Sequence, residues 1–167
     1  LADGTRETMS VSFIDMSGYT ALSERDEPAA LLHAALLQKC GRNAAARSGG
    51  ELIKSLGDAV MLRFPSPQAA IEAATALLRD YRSGAATLGV APLPLHGGLH
   101  HGEVVAARDG DLYGAAVNLA SRLCGAAQDG QFVISDTAHA LLSGTPAREL
   151  GELRLKNVQD PVRAYEV

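Results

Sequence analysis

The stretch Glu51-Leu52-Ile53-Lys54-Ser55-Leu56-Gly57-Asp58-Ala59-Val60-Met61-Leu62 constrains this chain more than any other. Apolar residues crowd both sides of Gly57-Asp58, and a glycine beside an aspartate in such a setting is a hairpin turn signal. The pattern predicts two strands, 51–56 and 59–64, joined by a tight turn. That turn holds a carboxylate at the end of two rigid elements. Lys54 stands four residues before Asp58, so on a strand without irregularities both share one face. Taken alone, a hairpin with these charges is also compatible with ordinary solvated surface.

A second acidic position upstream changes the weight of the first. Val11-Ser12-Phe13-Ile14-Asp15-Met16-Ser17-Gly18-Tyr19-Thr20 reads as a strand, about 8–15, that ends in a carboxylate and turns through glycine into a helix. Two aspartates at strand ends suit hard divalent cations, because Mg²⁺ takes carboxylate oxygens together with the phosphate oxygens of a substrate. The backbone N–H groups from Ser17 to Thr20 are placed to receive phosphate at a helix start. Together these features suit two-metal chemistry on a nucleotide.

Composition sets the outer bounds. At 167 residues, 47% hydrophobic and 20% charged, the chain has the length and balance of one folded domain. A net charge of −4 argues against a nucleic-acid surface built on bulk charge. No apolar run approaches the roughly 18 residues of a membrane span, and Leu1 to Ser10 lacks a signal-peptide pattern. The absence of an initiator Met suggests a segment of a longer protein, with residues 1–7 as a linker from an upstream regulatory region. Cys40 and Cys124 lie far apart in helix-like sequence and read as buried free thiols of a reducing cytoplasm. A membrane tether elsewhere in the full-length protein stays open.

The remaining elements follow in order. A helix runs from Pro28 to about Arg47, with Leu31, Leu32, Ala35 and Leu36 at helical spacing, and Gly49-Gly50 ends it. Pro65-Ser66-Pro67 breaks the hairpin and opens a helix over 67–82, with Ala70, Ile71, Ala74, Leu77, Leu78 and Tyr81 facing inward. Residues 83–94 read as a loop. Leu95 to Ala106 reads as a second hairpin, rich in glycine, whose His96, His100 and His101 are strand residues rather than a chelate. After Asp109-Gly110 the chain returns through 111–114 into a helix over 115–126, on which Asn118 and Arg122 share one face. A strand at 131–135, a helix at 136–142 capped by Ser135 or Asp136, and closing strands at 148–156 and 161–167 complete the chain. This order predicts an α+β fold: a ferredoxin-like βαββαβ core in a mostly antiparallel sheet, with helices packed on one face.

Four separated motifs in this order resemble the catalytic domains of class III adenylyl and guanylyl cyclases. Phe13-Ile14-Asp15-Met16-Ser17-Gly18-Tyr19-Thr20 is similar to the first motif, and Ile53-Lys54-Ser55-Leu56-Gly57-Asp58-Ala59-Val60-Met61 to the second. Leu99-His100-His101-Gly102-Glu103-Val104 is similar to the strand pair that follows, and Asp111 to Leu123 to the third functional motif. Residues 153–158 and 161–166 are similar to the end of the family's domain. The resemblance covers nearly the whole of 1–167 as a single catalytic domain.

The resemblance implies a set of roles. Asp15 and Asp58 hold two Mg²⁺ or Mn²⁺ ions per site. Gly18, Tyr19 and Thr20 lie against phosphate, Lys54 and Asp111 read the adenine edge of ATP, Asn118 orients the ribose and Arg122 stabilises charge on the reacting phosphate. Lys156 matches a triphosphate-contacting lysine less closely. Metal aspartates and the Asn/Arg pair come from opposite subunits of a homodimer. Adenine offers a donor at its C6 amino group and an acceptor at N1, which suits a carboxylate and an ammonium; guanine reverses both edges. Guanylyl members carry Glu and Cys at these two positions. The expected activity is therefore ATP to 3',5'-cyclic AMP and pyrophosphate. The alternatives are a catalytically silent, nucleotide-binding regulatory domain, which normally lacks one of the six side chains present here, and a palm-type enzyme such as a diguanylate cyclase. Ala107 to Gly110 is short where many relatives have a longer dimer arm, and Tyr19 stands where Phe is usual.

Overall fold

A computed structural model describes residues 4–167. Strand β1 (Thr5–Met16) runs through the centre of the sheet. Its residues Met9 to Ile14 are all buried, which requires cover on both faces of the sheet. Thr5, Arg6 and Glu7, expected above to belong to a linker, are part of this strand and pair with Ala106, Val105 and Val104. Residues 1–3 of that expected linker lie outside the described residues.

After β1 come helices α1 (Tyr19–Arg25) and α2 (Glu27–Arg47), the hairpin β2 (Glu51–Ser55) and β3 (Ala59–Phe64), and helix α3 (Pro67–Thr87). Asp26 caps α2 by accepting from the Ala29 N–H at 3.1 Å, and Ser66 caps α3 by accepting from the Ala69 N–H at 3.2 Å. Each of these two helices carries a proline in its first turn, where the missing N–H costs nothing. Helix α3 continues five residues past the expected end at 82. Ser83 to Thr87 hold helical geometry because Gly84 lets Leu36 of α2 approach; a Cβ there would stand 2.8 Å from the leucine.

Strand β4 (Leu95–Ala106) is one unbroken strand of 12 residues, not the hairpin expected from its glycines. Its glycines are close-approach positions instead of turns. A Cβ on Gly98 would lie 2.2 Å from the Cys124 nitrogen and 2.6 Å from the Ala120 oxygen, so this glycine allows a helix backbone to rest on the strand. That helix is α4 (Ala115–Ala126), reached through the two-residue strand β5 (Leu112–Tyr113). Strand β6 (Phe132–Ser135), helix α5 (Asp136–Ala140), β7 (Arg148–Leu153) and β8 (Val162–Glu166) follow. Ser135 caps α5, accepting from the Ala138 N–H at 3.2 Å.

The sheet order is β2-β3-β1-β4-β6-β8-β7, with β5 on β4. The first half contains the expected βαββαβ core, and the β4–β6 pair alone is parallel among the described strands. Helices cover both faces. Ile14, Met16, Leu95 and Leu99 pack against α2 and α3, whereas Met9, Val11, Phe13 and Met61 pack against Ala116, Ala120 and Cys124 of α4. The one-face expectation failed because β1 alternates between two apolar sets, as a strand covered on both sides must.

Two expected helix faces also differ. Helix α2 buries Ala30, His33, Leu37, Cys40, Gly41 and Ala44, while Leu31 and Leu32 are 57% and 37% exposed. Small residues let α2 pack closely, so the larger leucines beside them turn outward. Helix α3 buries Ala70, Ala73, Leu77, Tyr81 and Ala85; Ile71, Ala74 and Leu78 are only partly covered.

Candidate active site

Asp15 lies at the last turn of β1, directly opposite Ala59 of β3 and His96 of β4. Asp58 immediately precedes β3, in a turn whose Gly57 takes the left-handed conformation, with φ 75°. The Asp58 carbonyl accepts the Met16 N–H at 3.0 Å, which ties this turn to the end of β1. The two carboxylates therefore meet at one corner of the sheet. Burial pushes the Asp15 pKa above its ordinary value, and the negative charge of Asp58 pushes it further in the same direction. The Asp15 Oδ1 atom is buried without a hydrogen-bond partner. A pair of like charges with an orphaned oxygen fits a divalent cation, which would supply both the opposite charge and the missing ligand.

A second arrangement supports this corner. His96 Nε2 stands 3.7 Å from Asp15 Oδ2. Its other ring nitrogen, Nδ1, lies 3.0 Å from the Ser17 hydroxyl, which in turn donates to Asp129. A hydroxyl has one proton, so when it donates to Asp129 it must accept from His96 Nδ1–H. That hydrogen bond leaves Nε2 facing Asp15. The Ser17 N–H donates to the Pro94 carbonyl at 2.8 Å, fixing the same turn from the other side. Neither His96 nor Asp129 was singled out as a site residue from sequence; the register that brings them to Asp15 joins positions about 80 and 110 residues apart.

Three other histidine hydrogen bonds lead elsewhere. His100 Nδ1 lies 2.7 Å from the Ser135 hydroxyl, and burial holds its pKa down at about 4. His101 pairs with Ser10 at 2.9 Å, and His33 with Tyr81 at 2.8 Å. Among the described residues, no group of three or more His, Cys, Asp and Glu side chains could hold a metal. Cys40 and Cys124 are buried free thiols, as expected. Burial, together with the charges of Asp15 and Asp58, pushes Cys124 up to about 12.

Lys54 and Asp111 come together as a pair. Lys54 Nζ donates to Asp111 Oδ2 at 2.9 Å, and Asp111 Oδ1 accepts the Leu112 N–H at 2.8 Å. The hydrogen bond from the ammonium holds the Asp111 carboxyl below its usual range. A bulge makes the pairing feasible. Leu52 pairs with Leu62, but Lys54 pairs with Met61, so Ile53 is an extra residue on β2. Without it, Lys54 would share the face of Leu52 and point toward α2 and α3. With it, Lys54 shares the face of Met61, on the α4 side where Asp111 lies. The parity expected for Lys54 on a regular strand is thereby broken.

Asn118 and Arg122 lie one turn apart on α4, outside the stripe of Ala116, Ala120, Leu123 and Cys124 that rests on the sheet. Asn118 is exposed and Arg122 half-buried, and neither side chain makes a hydrogen bond or ion pair among the described residues. The charges that act on Asp15 are those of Asp58 and His96; neither Arg122 nor Lys54 is among them. Gly18, with φ 83°, starts α1, and no side chain caps the N–H groups of that turn, which includes Tyr19 and Thr20. Lys156 is exposed and follows Leu155, which packs with Leu123 at the Arg122 end of α4. No helix among the described residues is long and apolar enough to cross a membrane.

Comparison with known proteins sets this geometry in a family. The model of the adenylate and guanylate cyclase catalytic domain matches residues 2–167. An uncharacterized protein of Mycobacterium tuberculosis is 35% identical over 161 residues, which cover 96% of this chain and 41% of the relative. A pH-sensitive adenylate cyclase of the same organism is 31% identical over 171 residues, covering 98% of this chain and 41% of that protein. The chain thus spans about two fifths of the length of these relatives. Among solved structures, the adenylyl cyclase CyaB of P. aeruginosa superimposes with a TM-score of 0.85 at 26% identity, covering 98% of this chain and 95% of that one.

Proposed function

The chain belongs to the adenylate and guanylate cyclase catalytic-domain family, and we propose that it is an adenylyl cyclase, forming 3',5'-cyclic AMP and pyrophosphate from ATP at sites shared between two copies. The observation that carries the choice of base is the Lys54–Asp111 pair at 2.9 Å. Its carboxylate accepts from the C6 amino group of adenine and its ammonium donates to N1. Guanine would set a donor against the ammonium and an acceptor against the carboxylate, leaving both polar groups unsatisfied.

Asp15 and Asp58 would hold two Mg²⁺ or Mn²⁺ ions, which when bound supply charge neutralisation on the triphosphate and acidify the attacking hydroxyl. Asn118 orients the ribose so that its 3'-oxygen lies in line with the α-phosphorus. The bond from that oxygen to phosphorus forms as the bond to the pyrophosphate oxygen breaks, and the hydroxyl proton leaves to solvent. Negative charge grows on the α-phosphate oxygens, where the Arg122 guanidinium stabilises it through directed N–H donors. Gly18, Tyr19, Thr20 and Lys156 face the triphosphate. Arg122 has no partner among the described residues and does not act on Asp15 of its own chain, which supports a site completed by the Arg122 of a second copy.

Purified protein incubated with ATP or GTP and either metal, followed by chromatography of the product, tests the reading. Cyclic AMP formed from ATP in preference to cyclic GMP from GTP supports it. Nucleotide binding without turnover would favour the catalytically silent alternative, and a preference for GTP would overturn the assignment of Lys54 and Asp111.

A further inference from the structure

A groove of about 480 Å³ opens beside α3, lined in part by Ile14, Leu95 and Phe132. Ile14 and Leu95 belong to the sheet face that packs on α2 and α3, whereas the side chain of Asp15 projects from the other face. The groove is therefore distinct from the carboxylate corner and from the Lys54–Asp111 pair. Its α3 wall is the stripe Ile71, Ala74, Leu78 and Arg82, spaced three, four and four residues apart along one side of the helix. Its Ile71, Ala74 and Leu78 are apolar residues that the sheet leaves only partly covered. The volume lies within the roughly 300–1,000 Å³ of small-molecule sites.

The charges around the groove select the ligand. Arg82 is exposed and makes no ion pair or hydrogen bond among the described residues. Asp129, also in the lining, is already engaged by the Ser17 hydroxyl and repels an anion from its own side. Among the described residues of the lining, Arg82 is the cation without a partner, and beside apolar walls it suits an apolar body with one negative group; a triphosphate would leave most of its charge unmatched. The groove also touches the supports of the carboxylate corner. Ile14 immediately precedes Asp15, His96 faces it at 3.7 Å, and the Pro94 carbonyl holds the Ser17 N–H at 2.8 Å.

We propose that this groove binds a small apolar carboxylate, with its body against Ile71, Ala74, Leu78 and Phe132 and its charge on Arg82, and that occupancy alters metal binding at Asp15. The test is calorimetric titration of the protein with 4-phenylbutyrate and with the uncharged 4-phenylbutan-1-ol. The acid binds about threefold more tightly, the scale of one exposed ion pair. Nonspecific hydrophobic adsorption would instead favour the alcohol. Arg82→Gln removes the preference for the acid, and Ala74→Trp, which fills the groove, removes binding of both; circular dichroism confirms that each variant is folded. In a separate titration followed by electron paramagnetic resonance, saturating acid changes the Mn²⁺ affinity at least twofold, and Mn²⁺ changes the acid's affinity by the same factor. Equal or weaker binding of the acid in the wild type, or acid binding that survives in folded Ala74→Trp, overturns the site. An unchanged Mn²⁺ affinity overturns the coupling. The acid titration does not depend on turnover, so its result stands apart from the choice between adenylyl cyclase and silent domain.

Discussion

Replacing Asp15 by Asn tests the carboxylate corner through stability, independently of turnover. The perturbation removes one charge and keeps the shape of the side chain. In the metal-free protein, Asp15 is held protonated to a higher pH than the ordinary 3.8, by burial first and by Asp58 second. The folded state therefore binds more protons than the unfolded state between 3.8 and the raised value, and this group's contribution to stability falls as pH rises through that window. Above the raised value the unfavourable contribution is complete. Asp15→Asn lacks it, so the variant without metal is at least as stable as the wild type. Metal reverses the order. A cation at 100 times its dissociation constant stabilises the wild type by about 2.7 kcal/mol. For a domain of 167 residues, about 2–4 °C per kcal/mol makes this an increase in Tm of roughly 5–11 °C. The assay is thermal unfolding followed by circular dichroism, in chelator and then in Mg²⁺ or Mn²⁺. The variant shows less than a quarter of the wild-type shift. A full metal-induced shift in Asp15→Asn, or a metal-free variant several degrees less stable than the wild type, refutes the reasoning.

Four other outcomes follow from the same geometry. Asp15→Ala and Arg122→Ala homodimers are each inactive, but an equilibrated equimolar mixture recovers about a quarter of wild-type cyclic AMP formation, because half of the dimers are mixed and each has one intact site; no recovery when chromatography proves mixed dimers would mean that each chain completes its own site. Lys54→Glu combined with Asp111→Cys lowers the ratio of ATP to GTP turnover at least tenfold, and an unchanged ratio removes these residues from base recognition. The buried His100 is neutral at pH 7 and has its pKa at about 4 against the ordinary 6.5, so its contribution to stability is complete above 6.5 and is lost as pH falls toward 4. After allowance for its partial exposure, that loss is on the order of 1–2 kcal/mol, and urea midpoints of His100→Asn between pH 7.5 and 4.5 show a correspondingly flatter fall. Gly98→Ala drives a Cβ to 2.2 Å from the backbone of α4; it lowers stability by about 3 kcal/mol or more and displaces Asn118 and Arg122, read as a fall in kcat alongside the fall in Tm.

Local chemistry made much of the fold legible. The helix start at Ser66, the cap at Ser135 and the turn at Gly57 act within a few residues, so sequence spacing registers them directly. The misreading of β4 had the opposite cause. Gly98 is small because α4 crosses it, and a glycine kept for a distant helix looks, in sequence, like a glycine kept for a turn. The α3 face was misjudged in a similar way: Ile71, Ala74 and Leu78 are apolar, but the sheet does not cover them completely, and periodicity cannot separate a core stripe from the wall of a groove.

The candidate site shows the same division more sharply. Asp15 and Asp58 were legible because each stands at a strand end beside a glycine turn, so local pattern alone exposes them. Lys54 was found by motif, but its orientation was not. Regular alternation places it with Leu52, on the α2 and α3 side, and only the extra residue at Ile53 turns it toward Asp111. A bulge leaves no compositional mark in Glu51-Leu52-Ile53-Lys54-Ser55, since Leu and Ile are apolar on either face. His96 was legible only as a strand residue, because its relation to Asp15 depends on the β1–β4 register and its tautomer on Asp129, which comes 33 residues later. Sequence therefore reveals most readily the groups that would meet metal or nucleotide, while the register between strands determines how those groups are aimed.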